Sequence, residues 1–510
     1  MFSCRDKTTN PNVNLNLSDF DKLDTSAYAL NSHRIREYLD VMINADNDSM
    51  AADNHLKGYY INKGGFLWID RCGVDNRAEI LLNYISKVNE MGFSRNKFRY
   101  GQIERDLRRA RELDFDTSRN SINRVMARLE YNLTKAYLRY VIGQRFGYFN
   151  PSYKLNRLDQ YDMDTSVVAY RKLFDIPMEK PDKSFYATAM RRLGTDSVAQ
   201  FLKDVQPKNK LYWRFYEELK QTTSKIQRIK ILCNMERCRW RLKDYPEMHD
   251  KYVLVNIPSF HLRAIDGKKS LEMRIGCGSF DTKTPLLTSA IMRMDINPQW
   301  IVPRSIIKKS IIAHIGNRSY FENHNFFVRE RRTGKKISFD KVTSDMLNSN
   351  DYLVVQAGGI GNSLGRIIFR FNNSFSVFIH DTNQHDVFSQ EDRGVSHGCI
   401  RVQKPFSLAV FMLNDKNEDI INKIKYSMTA QIGSKNTVET DDKQYENPNP
   451  KADALDHSRI ISNVNVDPKV PLFITYFTLY PDVEGNIKSF SDVYGYDKVI
   501  FSTLKNYLSH

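Results

Sequence analysis

The chain has 510 residues, of which 41% are apolar and 12% aromatic, a composition that excludes a disordered polypeptide and leaves room for two or three domains. Its formal net charge of +16 suits nucleic acid, an anionic membrane surface or a carboxylate-rich substrate. The basic residues are spread along the chain without a dense tract or a nucleic-acid-binding motif, so no nucleic-acid partner is expected, and no apolar run reaches membrane-spanning length.

The beginning, Met1-Phe-Ser-Cys4, reads like the cleavage end of a bacterial lipoprotein signal, in which a small residue precedes the cysteine that becomes lipidated. No apolar signal core precedes it. Either the start is truncated or the likeness is chance. Truncation is the favoured expectation, and it makes Cys4 a lipidation site and residues 1–25 a polar tether to a membrane.

Residues 26–250 are expected to be all-α. Leu133, Tyr137, Tyr140 and Val141 follow helical spacing before a stop at Gly147-Tyr-Phe-Asn-Pro151. A second helical stretch is expected over 166–243, with Tyr212-Trp-Arg-Phe-Tyr216 and Asn234-Met-Glu-Arg-Cys-Arg-Trp240. Aromatic residues at such spacing are read as helix core in preference to a sugar-stacking face. Cys233 and Cys238 lie five apart, which suits neither a redox pair nor a zinc knuckle, and they too are assigned to a helix core. Spacing leaves open whether Cys72, Cys233, Cys238 and Cys277 pair.

The texture changes near Tyr252. Tyr252-Val-Leu-Val-Asn-Ile-Pro258 is strand-like, Pro258 marks a bulge or an edge, and Asp266-Gly267 signals a hairpin before Leu271-Glu-Met-Arg-Ile-Gly276. Residues 251–510 therefore form a mostly β domain, with further strands expected at 352–356, 367–371, 374–379 and 472–478. A short helix should start at Pro405. Residues 303–350, mixed and charged, suit a cap over a cleft or a passive excursion, and residues 414–468 suit a polar insertion, helical at its start. The glycine cluster Gly358-Gly-Ile-Gly-Asn-Ser-Leu-Gly365 lacks the endings and spacing of phosphate loops and precedes a strand, so it is read as a loop lining a substrate cleft.

Chemistry concentrates between His380 and Arg401. A run alternating at Phe375, Val377 and Ile379 leads into His380, and a polar loop returns the chain to Ser396-His-Gly-Cys399. An imidazole facing Cys399 would take its proton and hold the resulting anion beside a cation, and Gly398 lets backbone amides approach a substrate oxygen. His385 and Asp386 are read as solvated loop residues. As a metal site, His380, His385, His397 and Cys399 have irregular spacing, so no metal is expected.

The order His380, then Ser396-His-Gly-Cys-Ile-Arg401, resembles the catalytic signature of the L,D-transpeptidases. Other stretches resemble the large YcbB-like subgroup of that family, which has a helical scaffold domain. They are Asn234-Met-Glu-Arg-Cys-Arg-Trp240, Val255-Asn-Ile-Pro258, Thr284-Pro285, Asn297-Pro-Gln-Trp300 with Val302-Pro303, Asn362-Ser-Leu-Gly365, His380-Asp-Thr382 and Asp492-Val-Tyr-Gly-Tyr-Asp497. The resemblance extends over 26–510 and implies an α+β protein: an all-α scaffold domain, then a mostly β catalytic domain with an inserted cap. The small peptidoglycan-binding module common in that subgroup has no recognisable copy in this sequence.

The resemblance implies a periplasmic acyltransferase, tethered if Cys4 is lipidated, that acts on peptidoglycan tetrapeptide stems as donor and acceptor without a cofactor. Cys399 is the implied nucleophile and His380 its base, oriented by a backbone carbonyl near Asp381. The amides of Gly398 and Cys399 are the implied oxyanion donors, with His397 as a supplement. Arg401, Asn362 and Ser396 are the implied substrate contacts, and carbapenems the implied acylating inhibitors. Two alternatives stay open: a carboxypeptidase or endopeptidase in which water resolves the thioester, and a non-catalytic wall-binding or metal-binding scaffold.

Overall fold

The structure is a computed structural model that describes residues 30–70, 73–116, 118–160, 168–195, 197–430 and 455–508. The expectations for Cys4, the tether, Cys72 and the middle of the polar insertion fall outside the described residues. The chain divides into two compact units, one helical and one β-rich. The expected single boundary near residue 250 is corrected: the helical unit runs to Asn150 and continues over Met178–Lys243 and from Tyr496, while Pro151–Pro177 joins Asp244–Gly495 in the β-rich unit.

Pairing explains both departures. A short strand β1 (Phe174–Asp175) hydrogen-bonds in parallel beside Leu286 and Leu287, which draws its segment into the β-rich unit. The helix Tyr496–Leu504 packs on the helical unit instead. Its Asp497 carbonyl accepts from Cys233 Sγ at 3.4 Å, and its carboxylate lies 2.6 Å from Arg237.

In the helical unit, α1 (Ser32–Ala45), α2 (Ala51–Ile61), α3 (Asn76–Ser86) and α4 (Tyr100–Glu112) pack around α5 (Ile122–Phe146). Almost every residue of α5 is buried, including charged ones, so its charges must be paired within the protein. Arg139 Nε donates to Asp53 at 2.8 Å, Lys135 reaches Asp48 at 2.8 Å, and Glu130 accepts from the backbone of Leu67 and Trp68 at 2.6 and 2.9 Å. The helix stops at Gly147, as expected: a Cβ there would lie 2.4 Å from Glu236 Oε1.

Among the described residues the second helical stretch begins at Lys183, where Asp182 caps the backbone N–H of Phe185, and residues 168–182 carry no helix. It comprises α6 (Lys183–Leu193), α7 (Val198–Asp204), α8 (Lys210–Gln221) and α9 (Lys225–Arg239). Tyr212, Phe215, Cys233, Cys238 and Trp240 are buried as expected of a helix core, whereas Trp213 is exposed. Glu236 in the Asn234–Trp240 stretch accepts from Phe149 N at 2.8 Å, and Arg239 donates to Tyr212 Oη at 3.1 Å.

The β-rich unit is built from β2 (Lys251–Asn256), β3 (His261–Asp266), β4 (Lys269–Gly278), β5 (Leu286–Ile296), β6 (Trp300–Ile301), β7 (Phe326–Glu330), β8 (Lys336–Ile337), β9 (Tyr352–Gln356), β10 (Ile367–Phe371), β11 (Ile379–His380), β12 (Gly394–Ser396), β13 (Ile400–Val402) and β14 (Asn463–Thr475). The main sheet runs β10–β11–β13–β4–β3–β2–β14–β5, and β5 pairs back with β10, so it closes on itself and leaves those strands no free edge. Leu262, Met273, Ile275, Cys277, Ile379, Ile400 and Val402 are buried on its inner face. The hairpin at Asp266 and Gly267 forms as expected, and the helix α10 (Pro405–Met412) starts at its proline.

Three expectations change. β9 pairs with β6 and β7 in a separate sheet, so the cap is a subdomain spanning about 300–356 with its own core of Val302, Ile307, Phe321, Val328, Leu347 and Val354. Residues 374–378 are not a strand, because the Asn373 side chain donates to Phe371 and Val377 carbonyls and accepts from Phe375 and Val377 amides. Finally, β14 begins at Asn463, inside the stretch expected to be insertion, because Asn463–Asn465 pair with β5.

Candidate active site

β11 and β13 are parallel neighbours, with Ile379 opposite Ile400 and His380 opposite Arg401. Side chains alternate along strands, so the two isoleucines enter the core while His380, Arg401 and Cys399, two residues before Arg401, share the other face. Cys399 immediately precedes β13, and the same alternation carried one residue back turns its side chain toward the His380 side of the strand pair. Cys399 is partly exposed, whereas His380 is only 4% exposed.

The turn before Cys399 is fixed by hydroxyls. Ser396 Oγ donates to the Cys399 carbonyl at 2.6 Å and accepts from the Gly398 amide at 3.1 Å. Thr284 Oγ1 donates to the Gly398 carbonyl and accepts from Gly278 N, both at 2.9 Å, and Thr282 Oγ1 donates to the Ser396 carbonyl at 2.7 Å. Gly398 itself has φ +115°, in the region that favours glycine. The Gly398 amide is thus engaged by Ser396 Oγ, and the buried Ser396 hydroxyl is committed to the turn.

His380 Nδ1 is hydrogen-bonded to the Asp381 carbonyl, which fixes the ring, and the Leu364 carbonyl lies against it from the glycine loop. Burial first, and then the Arg401 cation, lower the imidazole's pKa to about 4 against the pull of those two carbonyls. Burial likewise pushes the Cys399 thiol up to about 11, opposed by a backbone hydrogen bond from Phe378 and by the cations Arg401 and Arg370. Both shifts favour a thiol and a neutral imidazole in the resting site at neutral pH.

The other expected residues divide. Arg401 is on the site, its guanidinium donating to Gln384 Oε1 at 2.8 Å. His397 is exposed at the mouth, its pKa lowered by desolvation and by Lys309 of the cap and Arg401. Asn362 is a loop-holding residue: its amide donates to Pro298 and Ala357 carbonyls at 3.1 and 2.8 Å and accepts from Leu364 N at 2.8 Å, leaving it turned inward. Asp386 is exposed as expected, but His385 buries Nδ1, so it is not a solvated loop residue.

Comparison with known proteins bears on this constellation. Residues 250–421 match the model of the YkuD family, the L,D-transpeptidase catalytic domain, and residues 54–219 match that of the Scaffold domain. The chain carries an L,D-transpeptidase catalytic domain joined to a scaffold domain. A Haemophilus influenzae protein described as "Putative L,D-transpeptidase" is 26% identical over 326 residues, 63% of this chain. The chain spans 60% of that relative's length. A solved structure, the Ldtfm-avibactam carbamoyl enzyme, is 16% identical and covers 34% of this chain and 48% of its own, with a TM-score of 0.19.

Within this L,D-transpeptidase domain, the residues that sequence reading left without a role are Thr282, Thr284 and the Asp381 side chain. Thr284-Pro285 stood out as a landmark between two strand runs, but only the fold carries it to the turn at Gly398. Among the described residues, no three His, Cys, Asp or Glu side chains gather as a metal site would require.

Proposed function

We propose that this protein is a peptidoglycan L,D-transpeptidase that joins third-position residues of stem peptides through a thioester on Cys399. The observation that carries this reading is the shared face of β11 and β13, which sets a partly exposed thiol beside a buried imidazole held in the neutral form. With Nδ1–H committed to the Asp381 carbonyl, His380 Nε2 keeps its lone pair for the thiol proton.

Cys399 Sγ attacks the carbonyl of the third residue of a donor tetrapeptide stem as its proton passes to His380. The C–N bond to the terminal D-alanine breaks, and His380 returns the proton to the departing amine. An amine on the third residue of a second stem then attacks the thioester, losing its proton to His380 and releasing the thiol. The Cys399 amide, with His397 as a supplement, is the oxyanion donor, since the Gly398 amide is engaged. Arg401 draws the thiol's pKa downward and faces the carboxylates of the substrate. The substrate places the enzyme in the periplasm, with Cys4 as its lipid anchor, and the cap as the cover of the cleft.

The test is incubation of the purified chain with disaccharide tetrapeptides, with products read by mass. Cross-linked dimers support transfer, and tripeptides alone mark a hydrolase. A Cys399→Ala variant that still forms dimers overturns the nucleophile assignment. Intact mass after exposure to a carbapenem should show one adduct on Cys399.

A further inference from the structure

The Asp381 carboxyl sits directly behind the carbonyl that holds His380, and the fold makes room for it deliberately. Gly365 has φ +64°, and a Cβ there would lie 2.4 Å from Asp381 Oδ2. Only a glycine lets the carboxyl in. Its Oδ2 accepts from Arg366 N at 2.8 Å, and the Arg366 guanidinium is tied to Asn297 Oδ1 at 2.9 Å and the Ala430 carbonyl at 2.7 Å. The clamp therefore has a fixed base.

The second oxygen is different. Asp381 Oδ1 is buried without a hydrogen-bond partner, and so is Nδ1 of His385, four residues along the same loop. Burial pushes the Asp381 carboxyl up, and the attraction of His385 is the strongest influence pulling it back, ahead of hydrogen bonds from Arg366 and Thr382 and the Arg366 cation. Buried orphan polar atoms are costly, and a pair of opposite sense within electrostatic reach calls for a reason. Gln384, next to His385, accepts from Arg401, so the loop from Asp381 to His385 touches both strands of the site.

We infer that Asp381 is a positioning residue for His380, clamped by Arg366 N–H on one oxygen, with His385 in the same loop within electrostatic reach of the carboxyl, so that the 381 peptide carbonyl holds the imidazole as the Nδ1–H tautomer. This deepens the proposed function and rests on His380 being the base. A rigid 381 carbonyl keeps Nε2 unprotonated and aimed at the sulfur. A loosened one lets the ring rotate or change tautomer, which lowers turnover without touching substrate.

The test uses the full chain and two readouts. In a Cys399→Ala background, the ring-nitrogen shifts of His380 report the tautomer without any reaction, and in the active enzyme kcat and KM are measured separately. Asp381→Ala should lose the single Nδ1–H signature and lower kcat roughly tenfold to a hundredfold with KM little changed. Asp381→Asn, which can still accept from Arg366 N–H, should recover part of both, and His385→Gln should give a smaller loss of the same kind. Should Asp381→Ala fold poorly, Asp381→Asn and His385→Gln carry the test. Unchanged tautomer and kcat in those variants would overturn the inference. Its failure is separable from that of the proposed function, which falls if His380→Ala itself keeps cross-linking activity.

Discussion

His380 and Arg401 stand opposite one another on neighbouring parallel strands, so one guanidinium acts on both the imidazole and the Cys399 thiol. It disfavours the proton on His380 and favours the thiolate of Cys399. Both effects move in the same direction, toward a deprotonated site. Arg401→Gln should therefore raise both pKa values. The acid limb of kcat/KM would move to higher pH, and alkylation of Cys399 by iodoacetamide at pH 8 would slow several-fold. A limb and an alkylation rate that stay in place would show that the guanidinium is screened from the pair.

The pH dependence has a definite sign. His380 must be neutral to accept the thiol proton, and its pKa is lowered to about 4, so kcat/KM should be level through neutrality and fall only on acidification toward that value. Stability follows the same window. Between the ordinary histidine range and about pH 4 the unfolded chain binds a proton that the folded chain refuses, so stability declines as pH falls through that interval. An acid limb near the ordinary histidine pKa would mean that the ring is solvated in the working enzyme.

The turn that presents Cys399 depends on one hydroxyl used twice. Ser396→Ala removes a donor to the part-buried Cys399 carbonyl and an acceptor for the buried Gly398 amide. A loss of about 1–3 kcal/mol in urea unfolding is expected, with a larger proportional loss in kcat, because the released Gly398 amide no longer fixes the turn. Ser396→Thr keeps the hydroxyl and should retain most of both. Equal activity in the alanine variant would show that Thr282 and Thr284 hold the turn alone.

Much of the site was legible because its parts are adjacent in sequence. His380 ends one strand run, Cys399 begins the next, and the spacing between them carries the motif. The fold class was legible too, since helical spacing at Leu133, Tyr137 and Tyr140 gives way to strand runs after Tyr252. What stayed hidden depends on long-range contacts. Thr284 reaches Gly398, and β1 joins a sheet whose other strands begin some eighty residues later. The neutral state of His380 was equally invisible, because desolvation by the surrounding fold sets it. The inward hydrogen bonds of Asn362 and Ser396 were hidden for a related reason, because their partners are set by the folded loop and turn.

The helical unit offers a test of stability away from the chemistry. Glu130 on α5 is fully buried, and its carboxylate accepts from the amides of Leu67 and Trp68 and from Tyr60 Oη at 2.6 Å. Burial raises its pKa while those donors lower it, so the carboxylate's cost in the core is offset by the bonds it accepts. Glu130→Ala would strand these donors in an apolar interior and leave a cavity beside Trp68, with a loss of about 3 kcal/mol or more. Glu130→Gln keeps the shape but puts an NH₂ where one carboxylate oxygen accepts, so it should recover only part of the loss. Urea unfolding of the full chain measures both. At low temperature, where the variants remain folded, carbapenem acylation of Cys399 should match the unmodified chain, because Glu130 has no part in the thiol's environment. A Glu130→Ala variant as stable as the parent would mean that Leu67, Trp68 and Tyr60 find other acceptors.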